Sequence, residues 1–338
     1  MSEIFYVKEV TFEQWSVHWE KVHKANLLQS WEYGSAKELA EKWRVLRFLI
    51  SDIDGHPIAL AQILTRTIPI FGGVARLNRG PMLLAEFPED QKIEKALGAI
   101  QALLREARKR RWWLFQIAPE LPGTEKVLAG LAQMGLRKQP NAVCSSGLLD
   151  LGMDENSLLM NLDGKWRNIL RKGQKLGVEV KCIDGKNPEQ KLLISGYKEF
   201  QLSKGFQGLS ESLLSSLATQ QSNVWEFDLF VARSTLDPSV DEPIGILVTI
   251  RHGDNATYLI GFTNDEGRRM QANSVMLWNA ILHAKYTGCT WFDIGGLGPV
   301  TPRGIAEFKR GLNAEPYALV GDFRGYLLPF KNLLKKSV

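Results

Sequence analysis

Two stretches near the end of the chain hold residues that could do chemistry. The first, "CTWFDIGG" (289–296), reads as a buried strand closed by a glycine pair. Glycines at a strand end permit close backbone approach, and Asp293 stands just ahead of them. The second, "GIAEFKRGLNAE" (304–315), carries Lys309 and Arg310. Its apolar residues Ile305, Phe308 and Leu312 recur at i, i+3 and i+7 and are expected to face the core. Both cations then point elsewhere. Lys309 is therefore either a solvated surface lysine or a charge directed at a substrate. Asp293 would orient or deprotonate an attacking amine, or else serve as a cap or a buried hydrogen-bonded carboxylate.

Other chemistries find less support. No Ser–His–Asp or Cys–His arrangement is recognisable, so a covalent acyl-enzyme is not expected. Cys144, Cys182 and Cys289 lie far apart without CxxC spacing, which fits a reducing compartment. The five histidines are scattered too, and no metal centre or resident cofactor is expected. A net charge of +5 and a pI near 9.0 favour a phosphate-bearing partner: nucleic acid, nucleotide sugar or anionic lipid. Basic clusters lie at "REARKRRWW" (105–113), "GKWRNILRKGQK" (164–175) and "KNLLKKSV" (331–338). Each reads equally as a solvated helix face or a helix end complementing its dipole. No apolar run reaches membrane-span length, and "MSEIFYVKEV" lacks a signal-peptide core, so a cytoplasmic protein is expected.

The elements that must position these residues repeat once. A chain of 338 residues is long for one core, and two domains are the default. "DGHPIALAQILTRTI" and "VDEPIGILVTIRHG" each open a strand at Pro-Ile. Each is followed some fifty residues later by a helix running into an aromatic strand: "ALGAIQALLREARKRRWWLFQI" and "SVMLWNAILHAKYTGCTWFDI". Ala96, Ile100, Leu103, Leu104 and Ala107 trace the first helix, with Val275, Trp278, Ile281 and Leu282 on the second. The layout predicts an α/β protein with mixed sheets in two similar domains: 1–145 plus 317–338, and 146–316. "AEPYALVGDF" (314–323) reads as a strand returning to the first domain.

Four segments then carry a family resemblance: "LLQSWEYGSAKE", "RLNRGPML", "LLDLGMDENSLLMNLDGKWRNILRKGQKLGVEV" and "FDIGG…GIAEFKRGLNAEP". In this order, over some 300 residues, they resemble the Fem-type (FemA/FemB/FemX-like) aminoacyltransferases of peptidoglycan bridge formation. The resemblance implies two tandem GNAT-like domains. It also implies transfer of an amino acid from aminoacyl-tRNA, the co-substrate, to an amine of a lipid-linked or nucleotide-linked muropeptide. On it, Lys309 stabilises the charge that grows on the ester carbonyl oxygen as the amine attacks. Lys37 contacts precursor phosphates, and Lys204 stands where relatives carry an arginine for the diphosphate. Lys204 binds phosphate as a point charge, without the bidentate fork. Arg79 pairs with phosphate or, preferably, with a structural carboxylate. Tyr258 either stacks or hydrogen-bonds in a groove between the domains, or packs in the core. Ala118 departs from the family, which often has an acid before that proline.

The alternative on the same fold is an acyl-CoA-dependent N-acyltransferase. That chemistry needs a glycine-rich turn before the long helix so that backbone N–H groups can reach a pyrophosphate. In "GRRMQANSVML" the two glycine positions hold Gln271 and Asn273, which crowd that approach. The tail "GYLLPFKNLLKKSV" suits either the inner membrane face or docking on the first domain. A monomer is expected.

Overall fold

The structure, a computed structural model, describes residues 4–68, 72–84, 87–140, 145–205, 208–236, 242–299 and 301–327. Contacts divide it into two compact units: Met1–Glu38, Lys42–Cys144 and Ala318–Val338 in the first, Leu39–Glu41 and Ser145–Tyr317 in the second.

The first unit begins with β1 (Tyr6–Glu9), α1 (Phe12–Trp19) and α2 (Trp31–Glu41). Local sequence sets both helix starts: Thr11 and Gln14 form a capping box, and Ser30 caps α2 through the Tyr33 N–H. Strands β2 (Arg44–Ser51), β3 (Pro57–Ile68), β4 (Gly72–Asn78) and β5 (Met82–Leu83) follow, then α3 (Glu89–Lys109), β6 (Trp112–Ala118), α4 (Glu125–Gln133) and β7 (Arg137–Lys138). The traced α3 residues Ala96, Ile100, Leu103, Leu104 and Ala107 are all buried, in one core with Phe48, Ile63, Leu77 and Phe115 of the sheet. Of the basic cluster after them, Arg110 is tied to Glu106 and Glu9, and Lys109 to Glu106.

The second unit opens with β8 (Ser145–Asp150), α5 (Glu155–Asn161), α6 (Gly164–Lys175) and β9 (Val178–Asp184). Asp154 and Asp163 cap the two helices. Next come α7 (Gln190–Lys204), α8 (Glu211–Ala218), β10 (Trp225–Ser234), β11 (Gly245–His252), β12 (Asn255–Thr263) and α9 (Asp265–Arg269). The unit ends with α10 (Ala272–Tyr286), β13 (Trp291–Asp293), α11 (Arg303–Arg310) and β14 (Glu315–Ala318). Helix α10 is buried on nearly every side, as a helix enclosed by its domain should be.

The chain then returns to the first unit as β15 (Phe323–Tyr326). The first sheet runs β1-β2-β3-β4-β6-β15-β7, with β5 on β3, and the second runs β9-β10-β11-β12-β13-β8-β14. Both place a parallel pair at the fourth and fifth positions, β4–β6 and β12–β13. The two orders match, and the protein is two tandem α/β domains of the same topology. The expected single strand over 314–323 is two strands: Glu315–Ala318 stays in the second sheet, and only Phe323–Tyr326 joins the first. Gly321 at φ +94° marks the bend between them. The tail residues 328–338 and Cys144 lie outside the described residues.

Candidate active site

The parallel pairs of the two units differ. In the first, β4 and β6 make six pairs, from Gly73–Trp112 to Asn78–Ala118, with a single register slip between Gly73 and Val74. In the second, β12 and β13 pair over only Asn255–Trp291, Ala256–Phe292 and Thr257–Asp293. Past Asp293 the chain leaves β12, and Ile294 N–H bonds to the Gly147 carbonyl at 3.0 Å. Register in the β11–β12 ladder slips at the same place, because Val248 faces Ile260 while Thr249 faces Tyr258. Leu259 is thus a bulge residue beside Tyr258, a device that re-aims side chains and recurs near active sites. The expected strand 289–296 is in fact three residues long, and its end opens a fork.

Lys309 lies at that fork. The face of helix α11 read from the apolar spacing is buried only in part: Leu312 is buried and Phe308 half-buried, but Ile305 is 41% exposed, whereas Lys309 is 6% exposed and Ala306 is buried. The reason is the helix's dock on α6. Trp166 Nε1 donates to the Phe308 carbonyl at 3.1 Å, their rings lie 5.7 Å apart, and a Cβ at Gly311 would meet the Trp166 ring. That dock rolls Ile305 outward and Lys309 inward. The Lys309 ammonium sits 4.5 Å from the centroid of the Tyr258 ring, a cation–π geometry. Gly295, at φ +73°, passes so close that a Cβ there would be 3.0 Å from Nζ and 3.1 Å from the Tyr258 carbonyl oxygen. Burial pulls the Lys309 pKa down to about 8, and the charge of Asp293 partly restores it. The described residues give this ammonium no hydrogen-bond acceptor, so a substrate oxygen would be its first.

Asp293 is buried, and its oxygens are occupied. Oδ1 accepts from Ser146 Oγ at 2.5 Å and Gly295 N–H at 2.8 Å, and Oδ2 accepts from Tyr317 Oη at 2.8 Å. The carboxylate is a fixed anion held by β8, β14 and the fork itself. Ser146 and Tyr317 carried no signal in the sequence. They become neighbours of Asp293 only when β8 and β14 enter the sheet. The Tyr258 hydroxyl lies against Gly261, where a Cβ would collide with it, and burial raises its pKa.

The structure brings Lys309, Asp293 and Tyr258 together. Lys37 is a half-buried residue on α2 in the first unit. Arg79 is there too, its guanidinium 3.6 Å from the Glu120 carboxylate and its backbone at φ +55°. Lys204 is the last residue of α7, and its side chain lies outside the described residues. At the start of α10, Gln271 takes a left-handed φ of +61° and, among the described residues, the buried Asn273 Oδ1 has no hydrogen-bond partner.

Residues 166–310 match the family model described as an acetyltransferase (GNAT) domain. No curated protein sequence matches the chain. Among solved structures, FemX is similar at TM-score 0.76 and 16% identity, covering 95% of this chain and 97% of that one. A tandem GNAT protein from the clavulanic acid biosynthesis pathway superposes at 0.55 with 11% identity, covering 97% and 99%. L-PGS from Bacillus licheniformis does so at 0.52 with 13% identity, covering 94% and 92%. Lys309 and Asp293 lie inside the matched segment, and the whole chain has a tandem GNAT-like fold similar to that of FemX.

Proposed function

We propose that this protein is an aminoacyltransferase, moving an amino acid from aminoacyl-tRNA to an amine of a lipid-linked or nucleotide-linked peptidoglycan precursor. The observation that carries the reading is the buried Lys309 ammonium at the β12–β13 fork, without a hydrogen-bond acceptor among the described residues. The amine nitrogen attacks the ester carbonyl carbon, and the displaced electron pair moves onto the carbonyl oxygen. A fixed cation in a water-poor site stabilises that oxygen far more than bulk solvent would. Collapse re-forms the carbonyl and expels the ribose oxygen, which leaves with the proton given up by the amine. Asp293, with both oxygens already engaged by donors, acts as a positioning residue that keeps Lys309 charged. Lys37 and Lys204 are the proposed contacts to precursor phosphates, and Arg79 supports the first unit through Glu120.

The start of α10 speaks against acyl-CoA as donor. Gln271 and Asn273 carry side chains where a pyrophosphate would need bare backbone. The deciding experiment supplies the protein with a muropeptide acceptor and either aminoacyl-tRNA or acyl-CoA. Consumption of aminoacyl-tRNA with a new amide on the acceptor is expected. Consumption of acyl-CoA alone would replace the proposed donor while leaving the role of Lys309 standing.

A further inference from the structure

The second unit holds another cluster, built from β9, β10 and α10. Cys182 pairs with Phe230 and Asp184 with Asp228 across the β9–β10 ladder, so Cys182 and Asp228 project from the same face of the sheet. His283, on α10, packs its ring against Phe230 at 5.6 Å on that face. His283 Nε2 lies 3.3 Å from Asp228 Oδ1 and 3.9 Å from Cys182 Sγ, and Sγ lies 4.0 Å from the same Oδ1.

These contacts do not make a nucleophilic triad. A triad histidine takes the nucleophile's proton on one ring nitrogen and is held by a carboxylate on the other. Here thiol and carboxylate both meet Nε2. Three donor atoms that converge on one point are instead the arrangement of ligands around a cation. A tetrahedral Zn2+ with about 2.3 Å to sulfur and about 2.0–2.1 Å to nitrogen and oxygen has a nitrogen–oxygen edge of about 3.3 Å and sulfur edges of about 3.6 Å. The observed triangle of 3.3, 3.9 and 4.0 Å needs a few tenths of an ångström of closure at the sulfur.

We propose that Cys182, Asp228 and His283 form a divalent-metal site of the Zn2+ type, tying the edge strand β9 to β10 and α10. Thiolate and carboxylate balance the ion's charge, and binding releases the thiol proton and any proton on His283 Nε2 to solvent. Cys182 is exposed and Asp228 buried, so the ion enters from solvent and a water completes the fourth position. Positions 182, 228 and 283 are too far apart in sequence for any ligand-spacing motif.

The test uses the full chain, stripped with a chelator and titrated with Co2+ and then Zn2+. One equivalent of Co2+ should give four-coordinate visible bands and a thiolate-to-cobalt charge-transfer band, both displaced by Zn2+, and Zn2+ should raise the thermal midpoint. Cys182→Ser, at an exposed position, should abolish the charge-transfer band and weaken binding by more than about tenfold. Asp52, Asp54 and His56 on the β2–β3 turn form the other candidate cluster among the described residues, and His56→Ala should change nothing. Absence of the charge-transfer band, its survival in Cys182→Ser, or its loss in His56→Ala would overturn the proposal.

Discussion

Burying an ammonium costs free energy, and Lys309 carries that cost in its ionisation. Its folded pKa of about 8 lies below the ordinary 10.5. The unfolded chain therefore binds more protons between those values, and stability is lowest below pH 8 and recovers as pH rises to about 10.5. Replacing the charge with an apolar chain of similar length should stabilise the fold. Lys309→Met is expected to gain on the order of 1–3 kcal/mol at pH 7 while slowing turnover roughly a hundredfold or more. Denaturant melts beside transfer assays check this. A variant that loses stability and activity together would make Lys309 structural. The same ionisation sets a pH profile. As a charged stabiliser of the carbonyl oxygen, Lys309 requires rates that fall as pH rises past about 8, whereas a general base would show the opposite limb. Because Asp293 holds the lysine's pKa up, Asp293→Asn should move the falling limb to lower pH. An unmoved limb would separate the two residues. Lys309 could be nominated from sequence, but its burial could not. The i, i+3, i+7 pattern nominated Ile305, and no hydrophobic period marks a lysine as an inward residue.

Whole elements were more legible than single side chains, for physical reasons. Helix α3 announces itself because one stripe is apolar and the rest charged. Helix α5 starts where Asp154 can cap it. The fork and the Leu259 bulge were not legible, since strand divergence depends on which neighbour a residue finds across the sheet and not on its own propensity. Strand β11 shows what such placement can cost. His252 is fully buried, with Nε2 2.8 Å from Thr257 Oγ1 and, among the described residues, no partner for Nδ1. Burial lowers its pKa to about 3 from the ordinary 6.5. With the folded pKa depressed, the unfolded state binds more protons between pH 6.5 and about 3, so stability falls as pH drops through that window by up to about 1.4 kcal/mol per unit. His252→Gln, which keeps a polar group near Thr257, should lose some stability at pH 7 but show a shallower decline. Urea midpoints from pH 7 to 4 measure both slopes, and parallel slopes would mean that His252 does not set the acid limit.

At the scale of the molecule, the two Pro-Ile segments lead into β3 and β11, the third strands of their sheets. The two helix–aromatic-strand segments become α3–β6 and α10–β13, which lead to the fifth. That much of the duplication is written in local pattern. The sixth position is not. In the second sheet β8 fills it from the start of the unit, and in the first β15 fills it from beyond the second unit's last strand. A short stretch such as Phe323–Tyr326 carries no local mark of the sheet it joins. Its effect on the first unit should nevertheless be large. β15 pairs with β6 over four residues and with β7 over two, while Val320 and Phe323 sit in the first unit's core at 1% and 2% exposure. Without it β6 becomes an open edge and the core beneath it is exposed. Ending the chain after Ala318 leaves β14 in place, so the damage should be selective. Hydrogen exchange should show β6 amides losing protection while those of β11 and β12 keep theirs, and Phe323→Asp in the full-length chain should reproduce the pattern without shortening anything. Unchanged protection in β6, in either variant, would show that β15 decorates the first sheet and does not complete it.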